Sequence, residues 1–365
     1  MESAADAAAI STARSRPGRR LVLLGCALLG VALVLWIAAA TLVAYRIHHP
    51  PFLEYGRTDV YGPHVPEGES GPSDPRAAFG ADFESLTVAV GGGKTVAGWF
   101  IKGGNSAAIL LVPPVGGKRR QMLPYAKFLS QAGYPVMAID SGDDASTGTS
   151  WGWSERMGVL SAASELRRRG FTRIGALGVS EGGAEIIMVQ AVGASFSAIV
   201  SDSAYSSLVG MFRQVPSIAG LNPALERTAL WEAGLFLGHS ILKIEPEAAA
   251  RSIGEAALMV IHNRGDRIVP VSQAEAIAQA AGSGAELWIV EGGGHGDAVF
   301  EHPEKYANRV LGFFAKNLQA GTPAGPRDTA GRTHGGARPA ARAGRAAGRG
   351  NLTFSEGSYR RAACP

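Results

Sequence analysis

Gly178-Val179-Ser180-Glu181-Gly182 follows an apolar run, Ile174 to Val179, and leads into the small-residue stretch Gly183-Ala184-Glu185-Ile186-Ile187-Met188-Val189. A buried strand, one sharp turn and a helix make a nucleophile elbow, which holds a serine hydroxyl exposed on a strained backbone corner. The flanking glycines let strand and helix approach where a Cβ would collide. Ser180 is therefore a candidate nucleophile. The pattern alone is weak, because a chain with 49 glycines in 365 residues matches G-x-S-x-G by chance. A second match, Gly148-Thr149-Ser150-Trp151-Gly152, follows a polar stretch without a strand signal. An elbow needs a strand immediately upstream, so Ser150 reads as a loop residue.

Outward from the elbow, the chain alternates short apolar runs with helical stretches. The runs are Leu86–Val90, Val96–Ile101, Ala107–Val112, Pro135–Asp140, Ile174–Val179, Phe196–Ser201, Ala256–Ile261 and Glu286–Val290. The first two, separated by Gly91-Gly92-Gly93-Lys94, read as a hairpin. Between later runs lie amphipathic segments such as Arg156–Arg169 and Ser272–Ala281. Continuous apolar strands alternating with helices imply an α/β fold: a mostly parallel central sheet with helices on both faces, over residues 84–318. The interval 204–255 breaks the alternation. It is either a lid over the carboxyl ends of the strands or a set of helices packed on the sheet, with His239 as a structural residue.

Composition, 46% hydrophobic, supports a large core. The net charge of +4 is concentrated at the ends. Eight arginines lie beyond residue 318 against Asp328 and Glu356, and Arg14, Arg16, Arg19 and Arg20 face only Glu2 and Asp6 near the start. The middle is acidic, which argues against nucleic-acid binding. Residues 1–20 form a basic segment, 46–83 a Pro- and Gly-rich linker, and 319–365 an Ala-, Gly-, Pro- and Arg-rich tail expected to be disordered. Asn351-Leu352-Thr353 in that tail matches a glycosylation acceptor.

Leu21 to Tyr45 carries no charge. Twenty-five helical residues span about 37 Å, enough to cross a hydrocarbon core of about 30 Å. The arginines before it place the N-terminus in the cytoplasm and the remainder outside. A cleaved signal peptide is the rival, since Ala38-Ala39-Ala40 resembles a cleavage site, although signal apolar regions are shorter. Two cysteines, Cys26 within the apolar run and Cys364 near the C-terminus, offer neither a disulfide framework nor a Cys/His metal cluster.

A serine hydroxyl needs a base, and the base needs an orienting carboxylate. Asp266 follows the seventh run, in Gly265-Asp266-Arg267-Ile268-Val269-Pro270, and His295 follows the eighth, in Gly294-His295-Gly296. Each would project beyond a strand end on the edge that carries Ser180. Asp202, after the sixth run, is the reserve acid. Asp297 lies too near His295 along the chain to orient it, and His262 reads as a packed or turn histidine. An oxyanion hole would draw on the N–H of Glu181 and of Val115, because Pro113 and Pro114 have none.

With these pieces in order, residues 84–318 resemble the α/β-hydrolase superfamily, in particular bacterial serine hydrolases of the S33 aminopeptidase and dienelactone-hydrolase-like groups. The resemblance implies hydrolysis of a small-molecule acyl ester, thioester or amide through a covalent acyl-enzyme, with no metal or organic cofactor. The chain departs from the family's His-Gly at Pro113-Pro114, and from its Asp-Tyr-Arg-Gly segment at Asp140-Ser141-Gly142-Asp143. Rival readings are a non-catalytic binding protein on the same scaffold and an acyltransferase using the same three residues. Oligomeric state is not encoded in any motif.

Overall fold

A computed structural model describes residues 17–50, 72–142, 148–214 and 220–318. The basic segment before Pro17, most of the linker, Asp143, Asp144, the tail from 319 with Asn351, and Cys364 lie outside the described residues.

The elements in chain order are α1 (Pro17–His48), α2 (Pro75–Phe79), β1 (Phe83–Gly91), β2 (Lys94–Ile101), β3 (Ala107–Val112), α3 (Leu123–Gln131), β4 (Val136–Ile139), α4 (Arg156–Arg168), β5 (Arg173–Val179) and α5 (Glu181–Ala191). They continue with β6 (Ala198–Asp202), α6 (Leu208–Gln214), α7 (Pro223–Leu237), α8 (Pro246–Ala250), β7 (Ala257–Asn263), α9 (Val271–Ala281), β8 (Glu286–Val290), α10 (Ala298–Glu301) and α11 (Pro303–Leu318).

The eight strands form one sheet in the order β1-β2-β4-β3-β5-β6-β7-β8. The β1–β2 hairpin and the β2–β4 pair are antiparallel, and all pairs from β4 through β8 are parallel. Side chains alternate faces along a strand, and β3 displays this directly. Ala108, Leu110 and Val112 enter the core shared with α4, α5 and α9. Ala107, Ile109 and Leu111 enter the opposite core, shared with α3 and α11. Burial on both faces is why the central strands β3 to β7 read as unbroken apolar runs.

Three features differ in extent from the sequence expectation. The apolar helix runs from Pro17 to His48, beyond the uncharged stretch at both ends. Structure begins before residue 84, with the short helix α2, whose Phe79 packs on the lower core. The interval 204–255 holds α6, α7 and α8. Leu208, Met211, Phe212, Ala233 and Ala250 are buried in the core shared with α4, α5 and α9, so these helices extend the packing.

Candidate active site

Ser180 sits between β5 and α5 at φ 55° and ψ −119°. That backbone conformation is strained for a residue with a Cβ and is typical of functional corners. Surrounding hydrogen bonds hold it. The Ser180 N–H donates to the Asp202 carbonyl at 2.7 Å, and its own carbonyl accepts from Gly183 and Ala184. Glycines make room for the corner. A Cβ on Gly182 would lie 2.5 Å from the carbonyl oxygens of both Val112 and Pro113, and one on Gly178 would collide with the Gly182 backbone.

His295 and Asp266 are brought over the same edge by loops that tie β7, β8 and β6 together. The Arg264 N–H donates to the Val290 carbonyl, and the Asn263 side chain donates to Gly292 O at 3.2 Å. Gly296 N–H donates to Ser203 Oγ. As a result His295 Nε2 lies 2.8 Å from Ser180 Oγ, and His295 Nδ1 lies 2.7 Å from Asp266 Oδ2. Because a carboxylate only accepts, Nδ1 carries the imidazole proton and Nε2 accepts from the serine hydroxyl. All three residues are buried.

Asp266 Oδ1 accepts the backbone N–H groups of Ile268 and Val269 at 2.8 and 2.9 Å. Burial by itself would raise its carboxyl pKa. The facing His295, together with hydrogen bonds from His262 and His295, outweighs that and holds it well below the usual carboxylate range.

His262 is the neighbour that motif reading leaves out. It is fully buried, with Nε2 2.7 Å from Val269 O and 3.2 Å from Asp266 Oδ2. Both facing atoms are acceptors, so Nε2 carries a proton shared between them. Burial pushes the His262 pKa down, but Asp266 and the Val269 carbonyl push it up further, and the net shift is upward. Only the packed position at the end of β7 was foreseeable; the contact with Asp266 arises from the turn that follows.

The other candidates lie elsewhere. Asp202 accepts hydroxyl hydrogen bonds from Tyr306 at 2.8 Å and Ser203 at 2.9 Å, and burial raises its pKa. Asp297 Oδ2 accepts from Gly294 N–H at 2.7 Å, closing the loop that carries His295. Ser150 Oγ donates to Glu155 and accepts from Ser154 N–H, the hydrogen bonding of a structural turn. His239 stacks edge-on against Trp153 at 4.8 Å, and burial lowers its pKa.

Glu181 is the first residue of α5, where backbone N–H groups point out of the helix. Val115 is buried in a turn closed by the Gly117 N–H donating to Pro114 O at 2.8 Å, with Gly116 at φ 63°. Asp140 clamps the far side of this loop, accepting from Arg119 N–H at 2.8 Å and from its guanidinium at 2.6 Å. Behind the elbow, Glu155, Glu181 and Glu185 converge, their carboxylate oxygens within 4.8 Å of one another. Thr149 Oγ1 donates to Glu181 at 3.4 Å.

Beside His295 lies an apolar recess of about 20 Å³, lined by Met122, Tyr125, Val179 and Phe300. Gln121 and Phe300 also border a wider, mainly apolar groove of about 610 Å³ between α3 and α11.

The profile of the prolyl oligopeptidase family, peptidase S9, matches residues 125–321, more than half of the chain. No curated protein sequence matches. Among solved structures, the chain is similar to an esterase of Pyrococcus furiosus at 22% identity and a TM-score of 0.56, covering 69% of this chain and 96% of that one. It is also similar to the acylaminoacyl peptidase of Pyrococcus horikoshii at 18% identity and a TM-score of 0.51, covering 67% of this chain but 43% of that one. These likenesses concern the fold.

Proposed function

Since this chain belongs to the prolyl oligopeptidase family, whose members are serine hydrolases of the α/β-hydrolase fold, we propose that it cleaves acyl esters, thioesters or amides through Ser180, His295 and Asp266. Ser180 Oγ adds to the acyl carbon as its proton passes to His295 Nε2. Asp266 holds the tautomer and stabilises the imidazolium that forms. The N–H groups of Glu181 and Val115 stabilise the developing oxyanion. Collapse of that adduct expels the leaving group, which takes the proton from His295, and water then releases the acid by the same steps.

The observation that carries this reading is the unbroken run of hydrogen bonds from Ser180 Oγ through His295 to Asp266, 2.8 and 2.7 Å long. It starts at a serine held at a strained φ of 55°, whose hydroxyl meets His295. The recess beside His295 favours a small acyl group, since about 20 Å³ admits little more than one water-sized group. The groove beyond Gln121 and Phe300 offers apolar surface to the rest of such a substrate.

A fluorophosphonate probe tests the assignment. It labels Ser180 in the intact protein, and Ser180→Ala abolishes both labelling and turnover, with a fall in kcat on the order of 10⁴ or more. Labelling that survives the substitution or moves to Ser150 defeats it.

The same proposal includes membrane attachment. The helix Gly18–His48 is long and apolar enough to span a bilayer, and its leucines and valines from Leu21 to Leu42 are largely exposed. At its C-terminal end Ala40, Ala44 and Ile47 are buried against the rest of the chain. That favours a retained anchor over a cleaved leader. The basic residues before the span favour a catalytic domain on the extracytoplasmic side.

A further inference from the structure

We propose that the exposed apolar face of α7, formed by Trp231, Leu235 and Phe236 with Leu242 just beyond the helix, lies in the surface of the bilayer as a second membrane contact. This rests on the reading that α1 spans the bilayer.

The first argument is attachment. α7 is joined to α1 by two side-chain hydrogen bonds, Trp36 Nε1 to Thr228 Oγ1 at 3.2 Å and Thr41 Oγ1 to Glu232 Oε2 at 2.6 Å. Around them α1 presents Ala40 and Ala44, and α7 presents Ala229 and Ala233, all buried. Small residues four apart on both helices permit close approach, the pattern of helix pairs in membranes. At this crossing the Glu232 carboxylate is buried and hydrogen-bonded.

The second argument is depth. A hydrocarbon core of about 30 Å takes up about 20 helical residues, and the uncharged run from Leu21 to Tyr45 is longer than that. The α1 residues that meet α7, Trp36 to Ala44, therefore lie from within the outer leaflet to the headgroup level. A helix docked there stands no more than about one helix diameter, roughly 10 Å, from that level.

The third argument is composition. Trp231 is 65% exposed and Leu235, one turn on, 63%, with Phe236 and Leu242 similarly bare. In water this is an unfavourable contiguous patch. At the headgroup boundary it suits an aromatic ring and aliphatic side chains. Arg227 and Lys243 flank the patch and are exposed, as cations that meet lipid phosphates would be.

The test uses the full-length chain with Cys26→Ser and Cys364→Ser, held in phosphatidylcholine–phosphatidylglycerol nanodiscs. A polarity-sensitive fluorophore is attached singly at Leu235→Cys, at Leu28→Cys within the span, and at Lys94→Cys on the distant hairpin. Lipids spin-labelled near the headgroup or along the acyl chain, and iodide in the water, serve as quenchers. The expected result is blue-shifted emission and loss of fluorescence at position 235, and none at position 94. A water-like, unquenched label at 235 alongside a quenched label at 28 overturns the proposal while leaving the membrane span intact. A label at 235 shielded from both lipid and aqueous quenchers overturns it in favour of a protein partner. No quenching at 28 removes the membrane reading itself, and this proposal with it.

Discussion

Asp266 and His262 are in contact through the same carboxylate oxygen that meets the His295 imidazole: Oδ2 lies 3.2 Å from His262 Nε2 and 2.7 Å from His295 Nδ1. His262 thus acts as a positioning residue behind the proposed triad. In His262→Leu, Asp266 loses one donor and the Val269 carbonyl loses its side-chain partner. A buried acceptor left without its donor costs roughly 1–3 kcal/mol of stability. The expected outcome is a lower melting temperature and a kcat reduced about tenfold in a protein that still folds. Steady-state kinetics beside thermal unfolding checks this. Unchanged kcat would assign His262 to packing alone.

The low pKa of Asp266 sets a pH dependence of stability. Its folded pKa is depressed relative to the unfolded value of about 4. A depressed carboxylate stabilises the fold above the unfolded pKa, and that contribution disappears as pH falls through the folded pKa. Thermal unfolding of the wild type and of Asp266→Asn across pH should therefore show the largest gap near neutrality, narrowing below about pH 4. A gap that is constant with pH, or that widens in acid, contradicts the assignment.

Gly182→Ala gives a test whose sign opposes the usual rule. An alanine inside a helix normally stabilises by up to about 1 kcal/mol over glycine. Here the new methyl would meet two backbone oxygens at 2.5 Å, those of Val112 and Pro113, which cannot rotate away. The start of α5 must then move off the proposed oxyanion loop. Melting temperature should fall instead of rising, and kcat should fall by on the order of 10² with less change in KM. A stabilised variant of normal activity would show that the elbow and the loop are not tightly apposed.

Much of this arrangement is legible in the chain itself. All eight apolar runs are strands; in β3 to β7 two-sided burial leaves no polar register to confuse them, whereas the edge strands β1 and β8 are only partly buried. Their ends are less legible. β7 continues through His262 and Asn263, polar residues beyond the apolar run that ends at Ile261. The elbow and the three residues that meet over it carry local signals of glycine and strand-end position. Contacts made by side chains distant along the chain do not. The clamp between Arg119 and Asp140 joins residues 21 apart and takes over a stretch that departs from the family pattern. The docking of α1 was hidden for a different reason. A helix apolar on every side shows no distinct face, so the buried alanines at 40 and 44 resemble its exposed apolar residues in sequence.

The end of α1 also reaches the proposed reactive centre. The His48 carbonyl accepts from Thr149 N–H at 2.9 Å, the Ile47 carbonyl accepts from the Trp151 indole at 2.8 Å, and Thr149 in turn touches Glu181, next to the serine. The end of α1 is therefore held to the hydrolase domain by hydrogen bonds as well as by chain connectivity. A cut after Ala40 would remove the Trp36–Thr228 hydrogen bond and the buried Ala40 from this contact, so the shortened protein is expected to be less stable than the full chain.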